Sequence, residues 1–134
     1  MNPHIDHLNR YVSSVDKFIE FYQEVLGYEL IDRGKKGNRM DYAILKGFNH
    51  EMFISERASF EQKDDNFRHI GYSIEKADET LEKLKLKGIV DIDMKVVVKQ
   101  YSRQLYIRDP DGFEIDLIQW TDKAGFYKSL NKGD

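Results

Sequence analysis

The chain has 134 residues, 21 Lys and Arg against 24 Asp and Glu, a formal net charge of −3 and no cysteine. The length suits one ordinary domain, and the missing thiols exclude disulfides, thiolate zinc sites and cysteine nucleophiles, so any metal must take His, Asp or Glu ligands. With 40% hydrophobic and 34% charged residues, no apolar run near the roughly 18 residues of a membrane span, no signal-peptide-like start and no organised basic stripe, a folded cytoplasmic protein without membrane or nucleic-acid partners is expected.

In chain order, His7, Asn9 and Tyr11 alternate with Leu8, Arg10 and Val12 as a first strand, roughened by Arg10. Val15, Phe18, Ile19, Tyr22, Val25 and Leu26 then form an amphipathic helical stripe, with Ser13 or Ser14 to cap it and Gly27 to end it. The segment RGKKGNR at 33–39 reads as a hairpin loop able to rim a pocket. ILKGFNHEMFIS at 44–55 closes the first half, and the polar stretch 57–67 reads as a linker. Beyond it, Ile70, Tyr72 and Ile74 face one way and His69, Gly71 and Ser73 the other. A weaker helix follows on Ala77, Leu81 and Leu84, with Gly88 at its end. RDPDGFEIDLIQ at 108–119 supplies the last strand, and a short helical tail begins near Thr121 with Phe126, Tyr127 and Leu130 able to pack back.

These elements repeat. His7 leads to Gly27 as His69 leads to Gly88, and setting Gly47 on Gly112 puts Glu51 on Asp116 without a gap. Each half therefore reads strand, helix, three strands, with a histidine on its first strand and a carboxylate on its last. A repeat of this kind brings equivalent residues together near a pseudo-two-fold axis. Two imidazoles and two carboxylates there make an N₂O₂ set suited to zinc, nickel, manganese, cobalt or iron(II). An octahedral ion so held keeps two adjacent positions for neighbouring oxygens of one small molecule, on which it acts as a Lewis acid. Taken singly, each histidine reads as a packed strand residue and each carboxylate as a solvated one; the joint pattern carries the inference.

The stretches YSRQLYIRDPDGFEIDLIQW and DHLNRYVSSVDKFIEFYQEVLGYEL resemble the signatures of the vicinal oxygen chelate superfamily, which includes glyoxalase I, fosfomycin-resistance proteins, extradiol dioxygenases and bleomycin-binding proteins. The resemblance spans about residues 4–120. It implies an α+β fold of two βαβββ modules (about 3–56 and 68–120, with a tail from 121), curled into an open mixed barrel around a divalent metal. It maps His7 and His69 onto the first- and fifth-strand ligands, Asp116 onto the last-strand ligand and Glu51 onto the fourth-strand ligand of glyoxalase I-like members. The last ligand is typically glutamate; aspartate is shorter by about 1.5 Å of reach.

Three chemistries are open within that resemblance. In a lyase or isomerase of glyoxalase type, a carboxylate (Glu51 first, Asp116 second) removes the proton beside a carbonyl to give an enediolate. An extradiol-type dioxygenase would need only His7, His69 and Asp116 on iron(II). A fosfomycin-type enzyme would need an anion cradle, for which Tyr101, Arg103 and Tyr106, preceded by Lys99, are available. A different class is a drug-binding resistance protein of bleomycin type, with Tyr11, Phe53, Tyr72 and Trp120 as a stacking wall; the same aromatics also read as ordinary core. His4 and His50 fall outside the site on this reading. A small-molecule substrate and a homodimer are expected.

Overall fold

The computed structural model describes residues 4–36, 40–57, 59–61 and 68–130. The first half runs β1 (His7–Val12), α1 (Val15–Leu26), β2 (Glu29–Lys36), β3 (Met40–Lys46) and β4 (Glu51–Glu56). The second runs β5 (His69–Ser73), α2 (Ala77–Leu86), β6 (Val97–Val98), β7 (Ser102–Arg108) and β8 (Glu114–Trp120), followed by α3 (Lys123–Ser129). The result is α+β, with two four-stranded mixed sheets of order β1-β4-β3-β2 and β5-β8-β7-β6. In each sheet the first and last strands of the half are parallel neighbours and the remaining pairs are antiparallel. Two compact units follow this division: Met1–Lys63 with Asp109–Gly112, and Asp64–Arg108 with Phe113–Asp134.

Helix α1 forms where the stripe predicts it. Ser14 caps the start by accepting from the Lys17 N–H, and Gly27, at φ 68°, ends it in the left-handed region that favours glycine. Its buried face is Val15, Phe18, Ile19 and Tyr22, packed over Val12, Ala43, Leu45, Met52 and Ile54 of the sheet. Helix α2 likewise buries Ala77, Leu81 and Leu84, and Leu105, Ile107, Ile115 and Leu117 form the sheet side of that core. Strand alternation then sends His7, Glu51 and Phe53 to the face away from α1, and His69, Glu114 and Asp116 to the face away from α2.

A paired device ties each helix to its sheet. Glu56, at the end of β4, accepts the Val15 N–H through Oε1 at 3.0 Å, and Gln119, near the end of β8, accepts the Ala77 N–H at 2.8 Å. Each satisfies one backbone donor that a helix start leaves open. Helix α2 has no side-chain cap of its own at Lys76, so Gln119 takes over that role. Replacing Glu56 by alanine is expected to cost about 1–2 kcal/mol, read as a lowered urea midpoint at constant m-value.

Arg10, the residue that roughens the first strand, lies on the helix side of β1 and is mostly buried. Its Nη1 donates to the Tyr22 hydroxyl at 2.9 Å and to Asp109 Oδ2 at 3.1 Å, and the Tyr22 hydroxyl donates to the same oxygen at 3.0 Å. Burial is the largest influence on Tyr22 and holds its phenol well above the ordinary tyrosine range. Asp109 Oδ1 accepts the Asp111 N–H, and the Asp111 carboxylate in turn accepts from the Ser13 N–H and hydroxyl. Gly112, at φ 83°, completes the turn. The DPDG motif is thus a structural turn, with a buried carboxylate countering a buried guanidinium.

One segment differs from the sequence expectation. Arg33–Lys36 is strand rather than loop, with Arg33 opposite Ala43 and Lys35 opposite Asp41; positions 37–39 lie outside the described residues. The polar stretch 57–67 includes a turn in which the Phe60 N–H donates to the Arg57 carbonyl, while 58 and 62–67 lie outside the described residues. Among the described residues no helix is long and apolar enough to cross a membrane.

Candidate functional site

The strand registers set the geometry in each half. In the first, His7 lies opposite Glu51 on the parallel neighbour and Asn9 opposite Phe53. The His7 ring rests on the Phe53 ring with centroids 4.8 Å apart, and its Nδ1 meets the exposed Asp6 carboxylate at 2.9 Å. Glu51 is half-buried. Tyr11 shares the His7 face, is about half exposed, and carries the Arg57 guanidinium 4.4 Å above its ring.

In the second half, His69 lies opposite Glu114 and Gly71 opposite Asp116. The His69 Nδ1 meets Glu114 Oε2 at 3.0 Å. Asp116 is 7% exposed. Its Oδ2 accepts from Gln104 Nε2 at 2.7 Å, and Gln104 is held in turn by the Ser102 hydroxyl, which donates to its Oε1 at 3.0 Å. Asp116 Oδ1 is buried and has no hydrogen-bond partner. Burial raises the Asp116 carboxyl above the usual carboxylate range, against the Gln104 hydrogen bond and the fields of His69 and Lys99. Tyr106 stands on the same side, its ring centroid 6.5 Å from that of His69 and its hydroxyl accepting from Lys99 Nζ at 3.1 Å.

These contacts sort the expected site residues. Histidine 69, Asp116 and Tyr106 are brought together in the second half, and His7, Glu51 and Phe53 in the first. Arg103 is on the opposite face of β7 from Tyr106 and makes a two-pronged pair with Asp78 of α2, at 2.9 and 3.1 Å. The Tyr101 ring packs edge-on against Phe126, which also meets Trp120, so both aromatics anchor α3. Tyr72 faces the α2 side of β5, away from His69. The His50 Nε2 bonds the Tyr28 hydroxyl at 2.6 Å, away from the site face.

The repeat survives in the structure with a different end alignment. His7 opposite Glu51 corresponds to His69 opposite Glu114, so Glu51 matches Glu114 and Phe53 matches Asp116. The glycine anchor misleads because the connection before β4 is residues 47–50 and that before β8 is 109–113. Gly112 needs a positive φ, whereas Gly47 is there because a side chain would strike His50 and Tyr28, at 2.8 and 2.9 Å. Glu114 and Gln104 were not among the expected site residues. Period two from Asp116 back to Glu114, and from Tyr106 back to Gln104, was the available signal.

Among the described residues no three or more His, Asp or Glu side chains gather as a metal cluster. The donor chemistry nonetheless fits a divalent cation. The unpartnered buried oxygen of Asp116 is an acceptor awaiting a donor or a cation. His7 and His69 both engage a carboxylate through Nδ1, the arrangement that leaves Nε2 for a metal.

A chain of two βαβββ halves, each with a histidine on its first strand, defines a duplicated α+β fold class. The sequence profile of the Glyoxalase/Bleomycin resistance protein/Dioxygenase superfamily matches residues 4–117, and the chain belongs to this family, the vicinal oxygen chelate superfamily. It is 26% identical over 128 residues to the metallothiol transferase FosB of Lysinibacillus sphaericus, covering 92% of this chain and 89% of the relative. It is 28% identical over 129 residues to a "Probable lactoylglutathione lyase" of Vibrio cholerae, covering 88% and 91%. Among solved structures, a glyoxylase/bleomycin resistance protein/dioxygenase domain from Frankia sp. superposes with a TM-score of 0.75 at 17% identity, over 90% of this chain and 93% of that one. The fosfomycin resistance protein FosX from Listeria monocytogenes gives 0.70 at 21%, over 87% and 93%.

Proposed function

We propose that the chain is a metal-dependent lyase or isomerase of glyoxalase type, acting on a small molecule with neighbouring oxygens. On this reading His7, His69, Asp116 and Glu51 hold a divalent ion (Zn, Ni, Mn, Co or Fe(II)) inside an open barrel formed from the two sheets. The observation that carries it is the buried, unpartnered Oδ1 of Asp116 on the same strand face as His69. When bound, the ion supplies Lewis acidity toward the substrate oxygens. Glu51, half-buried and without the Gln104-type clamp that fixes Asp116, is the residue to take the proton from the carbon beside the carbonyl. Phe53, at the strand position matching Asp116, lends an apolar wall and with Tyr11 contacts the substrate. The reading includes one domain across both halves, a homodimer and a cytoplasmic location.

A second reading rests on the Lys99–Tyr106 pair beside His69 and Asp116, a cation and a hydroxyl suited to an anionic group such as a phosphonate.

One experiment separates these. Purified protein is expected to carry stoichiometric metal that is lost in a His7→Ala, His69→Ala double variant. In deuterated water, α-hydroxy ketones and hemithioacetals are expected to exchange their α-proton with wild type and not with Glu51→Gln. Thiol addition to fosfomycin without any such exchange would favour the second reading. A protein that takes up no metal at any supplement level would overturn both in favour of a metal-free binding protein.

A further inference from the structure

We propose that Glu114 is the positioning residue for His69, fixing which ring nitrogen carries the proton and the rotation of the imidazole; this rests on the reading of His69 as a metal ligand. Glu114 is directly opposite His69 across the parallel β5–β8 pair, and Arg108 directly opposite Glu114 across β7–β8. The three side chains form a row over three adjacent strands. The Glu114 Oε2 lies 3.0 Å from His69 Nδ1, and its Oε1 lies 3.6 Å from Arg108 Nη2.

An ionised carboxylate only accepts hydrogen bonds, so the nitrogen facing it must be the protonated one. The neutral ring is thereby held as the Nδ1–H tautomer, with the Nε2 lone pair left for a cation. Arg108, its side chain 59% exposed, forms a loose ion pair with the far oxygen of Glu114 and adds only weakly to the hold that the His69 contact itself provides. Stability is not the reason for the row. The His69 and Glu114 side chains are 29% and 21% exposed, and a partly solvated pair of this kind contributes about 0–1 kcal/mol.

The first half solves the same problem differently. Glu51 is the register counterpart of Glu114, yet His7 turns its Nδ1 to Asp6, whose side chain is 82% exposed. Glu51 is therefore left for chemistry, while its counterpart Glu114 is committed to orientation.

The test is a long-range ¹H–¹⁵N correlation spectrum of metal-free protein labelled at histidine, recorded at about pH 8, where an unpaired imidazole is neutral. The His69 signals are assigned by their loss in His69→Ala. Wild type is expected to show the Nδ1–H tautomer. Glu114→Ala is expected to shift the population toward Nε2–H, and Glu114→Gln, which offers both an acceptor and a donor, to give a mixture. Zinc affinity, measured separately, is expected to fall about 10–100-fold in Glu114→Ala. An Nε2–H ring in wild type, or a His69 spectrum unchanged in both variants, overturns the proposal. Should wild type show the expected tautomer and Glu114 dependence but bind no zinc, the positioning role stands and the metal reading alone fails.

Discussion

Asp109→Ala is expected to be the most destabilising single change in the chain outside the apolar core, at roughly 3–5 kcal/mol. The Asp109 side chain is fully buried and that of Arg10 is 13% exposed, and both Arg10 and Tyr22 donate to the same carboxylate oxygen. Removing the carboxylate takes from Arg10 and Tyr22 the acceptor oxygen they share, in a layer where Arg10 also lies 5.4 Å from the Phe18 ring centroid. For a chain of this size the loss corresponds to a fall in Tm of about 10–20 °C. Tyr22→Phe, which removes one donor and keeps the ring, should cost about 1 kcal/mol. An Arg10→Met, Asp109→Ala double variant should recover much of the loss, because both members of the buried ion pair are then removed together. Chemical denaturation of the four proteins measures this, and a loss below about 1 kcal/mol in Asp109→Ala would mean that solvent already screens the pair.

Asp116→Asn is expected to act in opposite directions on stability and on metal binding. The folded-state carboxyl sits above its ordinary range, chiefly through burial. A group with a raised folded value holds its proton more tightly in the folded protein. Its contribution is therefore most favourable when protonated and is lost as pH rises through that window. The cost of burying the charge grows as pH rises through that window. Asparagine keeps the shape and an oxygen for the Gln104 amide but has no charge to bury. Metal-free Asp116→Asn should accordingly gain stability relative to wild type as pH rises, the gain fading below the ordinary carboxylate range. On the proposed reading of Asp116 as a ligand, zinc affinity should meanwhile fall at least about 100-fold, since a direct ligand contributes more than the outer contacts whose loss costs 10–100-fold. Calorimetry of the apo-proteins and zinc titration decide the matter. An apo-variant less stable than wild type at pH 7 would show that the carboxylate earns a favourable contact there.

The local elements were readable because their physics is local. The α1 stripe, its Ser14 cap and Gly27 stop are all within one stretch, and the alternation around His69 survives intact in β5. The duplicated strand–helix–strand order was readable for the same reason. What escaped depended on distant partners or on connection lengths. Arg10 looked like a defect in β1 because the carboxylate that neutralises it comes from the other end of the sequence. Glu56 and Gln119 drew no reading of their own because the donors they serve, Val15 and Ala77, lie far back along the chain. The end alignment slipped by two residues because a glycine chosen for close packing was matched to one chosen for a positive φ. Strand β6, two residues long, is too short for any period to show. Of the aromatics, Phe53 and Tyr106 lie on the faces that carry the histidines, whereas Tyr101 and Trp120 hold the terminal helix.

Phe53 and Asp116 occupy one backbone address in two copies of the same unit, one filled by a ring and the other by a charge. Both point away from the helix that covers their sheet, so exchanging polarity at that address leaves the interior beneath it untouched. Duplication has in this way produced a pair of slots that can be altered independently. At one the ring rests against an imidazole, while at the other the carboxylate is held by an amide.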